Sequence, residues 1–302
     1  MSTLTPTNTP AHDRLVTAGR LLRTAVKHSY DPEVELDWES EPVPGLWWVP
    51  EHRVSLYGTP LWEQMSLEQR IELSRHECAS AHAIELWVET VLMQMLIRYV
   101  YTQDASEAHA WHVYTEIAEE CRHSTMFGMM IRKSGAPFYG PGRRLKRLGK
   151  VFGAVASPTL CMASALFFEE YGDALQREVM NDETCQPIVR AASRLHVIEE
   201  ARHITFARDE LARRVPELSP WERRYVAAQT GPFAYSVVSS MIHPRVYAAV
   251  GLDIDEALRQ VRANPHRAET QRWASATSVE LFESLGLVDR FTRQWWRRAQ
   301  II

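Results

Sequence analysis

The pentapeptide Glu-Glu-x-Arg-His occurs twice, at Glu119–His123 and Glu199–His203, offset by 80 residues. No other feature restricts the fold as strongly. In each copy the second Glu and the His stand three apart, Glu120 with His123 and Glu200 with His203, and no other Glu-x-x-His occurs in the chain. On a helix that spacing puts both side chains on one face, one turn apart. One such pair is a weak signal in 302 residues. Two inside a repeated pentapeptide, each in a long helical stretch, predict two helices presenting the same ligand-type pair to a shared core.

Punctuation along the chain agrees with an all-helical fold. Residues 1–12 read as a frayed Thr- and Pro-rich tail, His12–His28 as a short helix, and residues 31–65 as irregular. Ser66 and Gln69 form a capping box for a helix to about Thr102. Asp104 with Glu107 opens the next, which stops at Gly135. A basic loop (Arg143, Arg144, Lys146, Arg147, Lys150) follows, then a third long helix from Pro158 and a fourth over about Asp182–Val215. Ser219-Pro220 with Glu222 caps a fifth, Gly231-Pro232 marks a helix interruption, and Asn264-Pro265 starts a helix ending at Gly286. No alternating β-branched run is long enough for a sheet. The expected fold is all-α, a helical bundle with additional C-terminal helices. A tail and irregular segment (1–65) precede the bundle domain (66–302).

A dinuclear carboxylate site in such a bundle takes one Glu from each of two helices and Glu-x-x-His from each of the other two. The two single Glu residues belong on the first and third long helices. The first offers Glu85 and Glu89 beside an apolar stripe of Ala81, Ile84, Val88, Val91, Leu92 and Met95. At 100° per residue, Glu85 lies about 60° and Glu89 about 100° from the stripe centre, which favours Glu85. The third offers Glu169 and Glu170, which helical phase does not separate. His196 shares a face with Glu200 and His203; its counterpart in the first half is Glu116, so the half-sites differ. Four carboxylates unpaired in one core would each cost several kcal/mol. Two trivalent ions with a dianionic bridge neutralise them, and mixed carboxylate and imidazole ligands suit iron or manganese.

The chain resembles the p-aminobenzoate N-oxygenase family of ferritin-like diiron oxygenases on Glu85, Glu120, His123, Glu169, His196, Glu200 and His203, over roughly residues 66–210. The resemblance implies that these seven hold two iron ions, and it selects Glu169 over Glu170. It further implies a biosynthetic monooxygenase. Such an enzyme uses dioxygen and external electrons, from a ferredoxin or reductase, to oxidise an amino nitrogen to hydroxylamine, nitroso or nitro through a peroxo-diiron intermediate. Aliphatic amines or hydrazines are alternative substrates, and a non-enzymatic ferritin-like iron-binding protein is an alternative function. A ribonucleotide reductase subunit fits less well, since Phe127 stands where its Tyr is expected. The family's binding arginine is not distinguished among Arg267, Arg272, Arg290 and Arg293. Cys161, Ala165, Phe127, Phe206 and Ala207 are expected to wall the substrate cavity, and Arg122 and Arg202 to pair with Glu119 and Glu199.

Composition excludes other classes. A net charge of −4 gives no case for nucleic acid. The start lacks an apolar leader, and Cys78, Cys121, Cys161 and Cys185 form no CxxC pair, which leads us to expect a cytoplasmic protein with free thiols. The uncharged stretch 151–168 is interrupted by Ser157-Pro158, so a buried helix is expected there, with no membrane span. A homodimer is the assembly considered.

Overall fold

Helix after helix, the chain follows its capping signals. The structure, a computed structural model, describes residues 11–302; the expected tail over residues 1–12 lies almost wholly outside them. Among the described residues the elements are α1 (Ala11–Lys27), α2 (Pro32–Glu35), α3 (Pro60–Gln64), α4 (Leu67–Val100), α5 (Ala108–Ser134), α6 (Arg143–Val155), α7 (Pro158–Val179), α8 (Pro187–Arg214), α9 (Pro220–Ser240), α10 (Arg245–Ala249), α11 (Ile254–Ala263), α12 (Pro265–Ser284) and α13 (Arg293–Arg298). An isolated bridge between Trp47 and Cys185 is the one β-type pairing among them.

The bundle is two helical hairpins. α4 pairs with α5 and α7 with α8, and the connection carrying α6 crosses between them, as in ferritin-like bundles with one long crossover. α1 packs on α5 and α8, while α9 and α12 cover α7. The main core runs through Leu92, Leu96, Leu166 and Phe167. Trp296, fully buried against Phe167 and Phe282, fastens α13 to it.

Local chemistry explains the boundaries. Ser66 and Gln69 make the reciprocal capping box of α4, and Ser219 and Glu222 repeat it on α9. α5 ends at Gly135 with φ 66°, the left-handed conformation that lets the chain turn away. Ser157 accepts a hydrogen bond from Leu160 N at the start of α7.

Four expectations need correction. α5 starts at Ala108, after Asp104 folds its carboxylate onto Ser106 in a turn. α8 starts at Pro187, because Asp182 bonds Thr184 in another turn. The basic loop is largely helix α6. Its two glycines lower helix propensity but permit close packing, since a Cβ on Gly149 would collide with Trp87 Cζ2 on α4. α9 passes unbroken through Pro232; Gly231 there lies against Trp295 and Trp296. No described helix is long and apolar enough to cross a membrane, and Cys78, Cys121, Cys161 and Cys185 are free thiols.

Candidate metal centre

The four bundle helices deliver carboxylates and imidazoles to one buried place. Three residues come from each of the two repeat-bearing helices: Glu116, Glu120 and His123 from α5, and His196, Glu200 and His203 from α8. Helix α7 adds Glu169 and helix α4 adds Glu89; all eight side chains are buried. Four groups each bring one ligand-type atom per residue within 4.8 Å of one another: Glu89–His123–His196, Glu116–Glu120–His203, Glu120–His123–Glu200 and Glu89–Glu120–Glu169. The halves differ in the way the repeat foreshadows. One side gathers two imidazoles, His123 and His196, and the other gathers His203 with Glu116.

Glu85 is not in these groups; Glu89 holds the α4 position. Glu85 lies one turn earlier, where its Oε1 accepts a hydrogen bond from Gln176 Nε2 at 3.4 Å. The apolar stripe does not point at the cluster because α4 buries more than one face. His76, Glu77 and Ser80 are buried alongside Ile84, Val88 and Leu92, so the apolar centre does not mark the direction of the bundle axis. A better signal was present in the sequence. Glu89 and Glu169 are 80 residues apart, the same offset that relates Glu120 to Glu200 and His123 to His203. Glu170, the alternative on α7, points elsewhere and pairs with Arg208 and Ser278.

Hydrogen bonds fix which imidazole nitrogen faces the cluster. His123 Nδ1 lies 3.1 Å from Glu120 Oε2 and 3.1 Å from Glu200 Oε1, while its Nε2–H donates to Glu199 Oε2 at 2.9 Å. His203 repeats this, with Nδ1 at 3.0 Å from Glu120 Oε1 and 3.2 Å from Glu200 Oε2, and Nε2–H on Glu119 Oε2 at 2.8 Å. The braces cross between α5 and α8, each repeat's first Glu holding the other repeat's His. Arg202 is buried and donates to Glu119 Oε1 at 2.6 Å, while half-buried Arg122 reaches Glu199 Oε1 at 3.6 Å. His196 is oriented the other way. Its Nδ1–H donates to Gln176 Oε1 at 2.7 Å, leaving the Nε2 lone pair 3.3 Å from Glu200 Oε1.

Electrostatics shows the strain of this gathering. Burial and the neighbouring Glu120 charge hold Glu89 well above the usual carboxylate range. Burial and the Glu200 and Glu120 charges do the same to Glu169. Burial, with His123 beside it, pushes His196 down to about 3, so its imidazole is neutral. Both oxygens of Glu89, both of Glu169 and Nε2 of His196 are buried without a hydrogen-bond partner. Native structures rarely tolerate such orphans. Convergent carboxylate oxygens, imidazole nitrogens and outer carboxylates that fix the imidazoles are the donor set of a dinuclear metal centre. The residues therefore fit two cations.

A cavity of about 110 Å³ reaches Gln176, the hydrogen-bond partner of His196, and none of the eight cluster residues lines it. Glu85 and Gln176 line it, together with His82, Tyr171, Arg53 and Arg267. Cys161, Ala165, Phe127, Phe206 and Ala207 do not; they pack in the core, Phe127 against His82 and His196 and Phe206 against His109 and His112. Of the four candidate arginines, Arg267 alone lines this cavity.

An all-α bundle whose four core helices carry this donor set is a ferritin-like carboxylate–histidine protein. The chain belongs to the p-aminobenzoate N-oxygenase AurF family, which it matches over residues 11–286. It is also similar to uncharacterized proteins of Mycobacterium tuberculosis (strain CDC 1551) and Mycobacterium bovis. Each is 26% identical over 289 residues, covering 92% of this chain and 84% of the relative.

The crossed braces make a prediction. Glu119→Ala removes the acceptor that fixes His203 and leaves Arg202 buried without its closest partner. Loss of such an outer partner costs ~10–100-fold in metal affinity. Competitive chelator titration of the iron-loaded variant should show that weakening with little change in helix content. Wild-type affinity in a folded Glu119→Ala protein would show that the brace does not support the metal.

Proposed function

We propose that this chain is a diiron N-oxygenase that oxidises the amino nitrogen of a small molecule with dioxygen and external electrons. One observation carries the reading: in a member of this family, four glutamates and three histidines converge with orphaned buried oxygens. Glu89, Glu120, His123, Glu169, His196, Glu200 and His203 would hold two iron ions, with Glu116 beside His203. Iron, when bound, supplies the activation of dioxygen.

The protein's own part is positioning and exclusion of water. Glu119 and Glu199 hold His203 and His123 with Nδ1 inward. Gln176 holds His196 with Nε2 inward. The cavity brings the substrate to within one hydrogen-bonded residue of His196. Arg267 is half-buried there and offers a guanidinium to an anionic substituent. α6 packs its glycine face on α4, which carries Glu89, and leaves Arg143, Arg144, Lys146, Arg147 and Lys150 exposed, a charge that suits an acidic electron donor such as a ferredoxin. Four free thiols favour the cytoplasm.

The deciding experiment is single-turnover oxidation. Iron-loaded, chemically reduced protein is mixed with an amine and oxygen, and products are read by mass spectrometry. An N-oxygenated product at up to one per diiron site is expected. Iron binding with no amine oxidised across arylamines, aliphatic amines and hydrazines would leave an iron-binding protein.

A further inference from the structure

Glu85 is a carboxylate that the metal cluster leaves unused. It is 7% exposed, its Oε2 has no hydrogen-bond partner, and it lines the cavity that reaches Gln176. A buried, half-satisfied carboxylate on a cavity wall is costly unless a donor or a positive charge completes it. Inside the protein two groups approach this role and neither hydrogen-bonds Oε2. Gln176 Nε2 donates to Oε1 at a long 3.4 Å, leaving Oε2 untouched. His82, one turn earlier on α4, has its Nδ1 2.8 Å from the Cys78 carbonyl oxygen. Oε2 is thus a buried, unpaired acceptor in the cavity wall, on a carboxyl that burial holds above its ordinary range.

We propose that Glu85 is the specificity residue for a cationic amine: the substrate enters as an ammonium or hydrazinium ion, paired with Glu85 Oε2. This deepens the N-oxygenase reading and rests on it. The chemistry separates two substrate classes. An arylamine is uncharged at neutral pH and offers Glu85 only weak N–H donors. An aliphatic amine or alkylhydrazine carries or readily gains a proton and forms a charge-assisted bond in a site of low dielectric, where such bonds are about twice as strong as neutral ones. Passage of one proton from the ammonium to Oε2 leaves a neutral amine with its lone pair free and a neutral carboxyl, so charge and protons balance. Glu85 also touches the centre indirectly. It binds the amide of Gln176, whose carbonyl holds His196, so the nitrogen to be oxidised is anchored on a residue two hydrogen bonds from an expected ligand.

A matched pair of ligands tests this. 4-(Aminomethyl)benzoate is cationic at nitrogen and 4-aminobenzoate is not, while both carry the same carboxylate. Binding to iron-loaded protein is measured by calorimetry at pH 7.5, with iron content determined on the same sample. We expect the aminomethyl compound to bind at least ~10-fold tighter. In Glu85→Gln, which keeps shape and the bond to Gln176 while losing the charge, that preference should collapse to within about twofold. Equal or tighter binding of 4-aminobenzoate by the wild type overturns the proposal, as does an unchanged preference in a folded, iron-loaded Glu85→Gln protein. Failure of both ligands to bind also overturns it, since a cavity built for a cation should hold the cationic member. The iron measurement separates the two readings. A protein with about two irons per chain that prefers the neutral amine loses only this inference, whereas one without iron loses the N-oxygenase reading as well.

Discussion

Glu89→Ala protein from iron-supplied cells is expected to retain about one iron ion per chain or fewer, against about two in the wild type. Glu85→Ala should keep both. The contrast follows from where α4 places its two glutamates. Glu89 groups with His123 and His196 on one side and with Glu120 and Glu169 on the other. Removing it takes away an oxygen donor central to the site. Glu85 lies a turn away and bonds Gln176, so its loss leaves the donor set whole. Metal analysis by plasma mass spectrometry, with circular dichroism to confirm folding, decides the matter. Full iron in Glu89→Ala together with depleted iron in Glu85→Ala would return the α4 ligand to Glu85.

That pair of residues also marks how far the sequence could be read. The helices, the bundle and the α5 and α8 members of the cluster follow from local chemistry and from the repeated pentapeptide, because capping and i, i+3 geometry act within one turn. The position on α4 does not follow from the apolar stripe. A helix buried on several faces has no single inward direction, and here the inward face is where the polar residues converge. The 80-residue offset carries that information, because both halves of the bundle solve the same packing problem. It also picks out Glu116 opposite His196. The cavity was misplaced for a related reason. Small residues before Glu169 suggested space, but in a close-packed interior small side chains are filled by their neighbours. The cavity that reaches Gln176 lies where α4, α7 and α12 meet the segment around Trp48 and Arg53, residues far apart in the chain whose meeting no local pattern announces. α6 was hidden by its glycines, which weaken a helix in isolation and are accepted for its approach to Trp87.

Glu89→Gln should change sign in its effect on stability depending on whether metal is bound. In chelator-stripped protein, Glu89 is held well above its ordinary value of 4.5 by burial and by Glu120. A carboxyl with a raised folded-state pKa makes the native protein bind more protons than the unfolded chain. Its favourable contribution is therefore complete below the unfolded value and is lost as pH rises toward the folded one. Stripped wild-type protein should lose stability between pH 5 and pH 8 more steeply than the variant. Glutamine carries the same shape without the charge, so at pH 8 the stripped variant should be the more stable, by ~1–3 kcal/mol. Bound iron inverts this. Cations take up the carboxylate charge, and a site that binds the folded chain alone adds stability by mass action. The glutamine amide cannot supply an anionic oxygen, so the iron-loaded wild type should melt above the variant treated with the same iron. Thermal melts of both proteins at pH 5.5 and pH 8, stripped and loaded, read out the sign in each condition. If Glu89→Gln destabilises the stripped protein at pH 8 as much as the loaded one, Glu89 serves the fold by packing, and its place among the metal ligands falls with it.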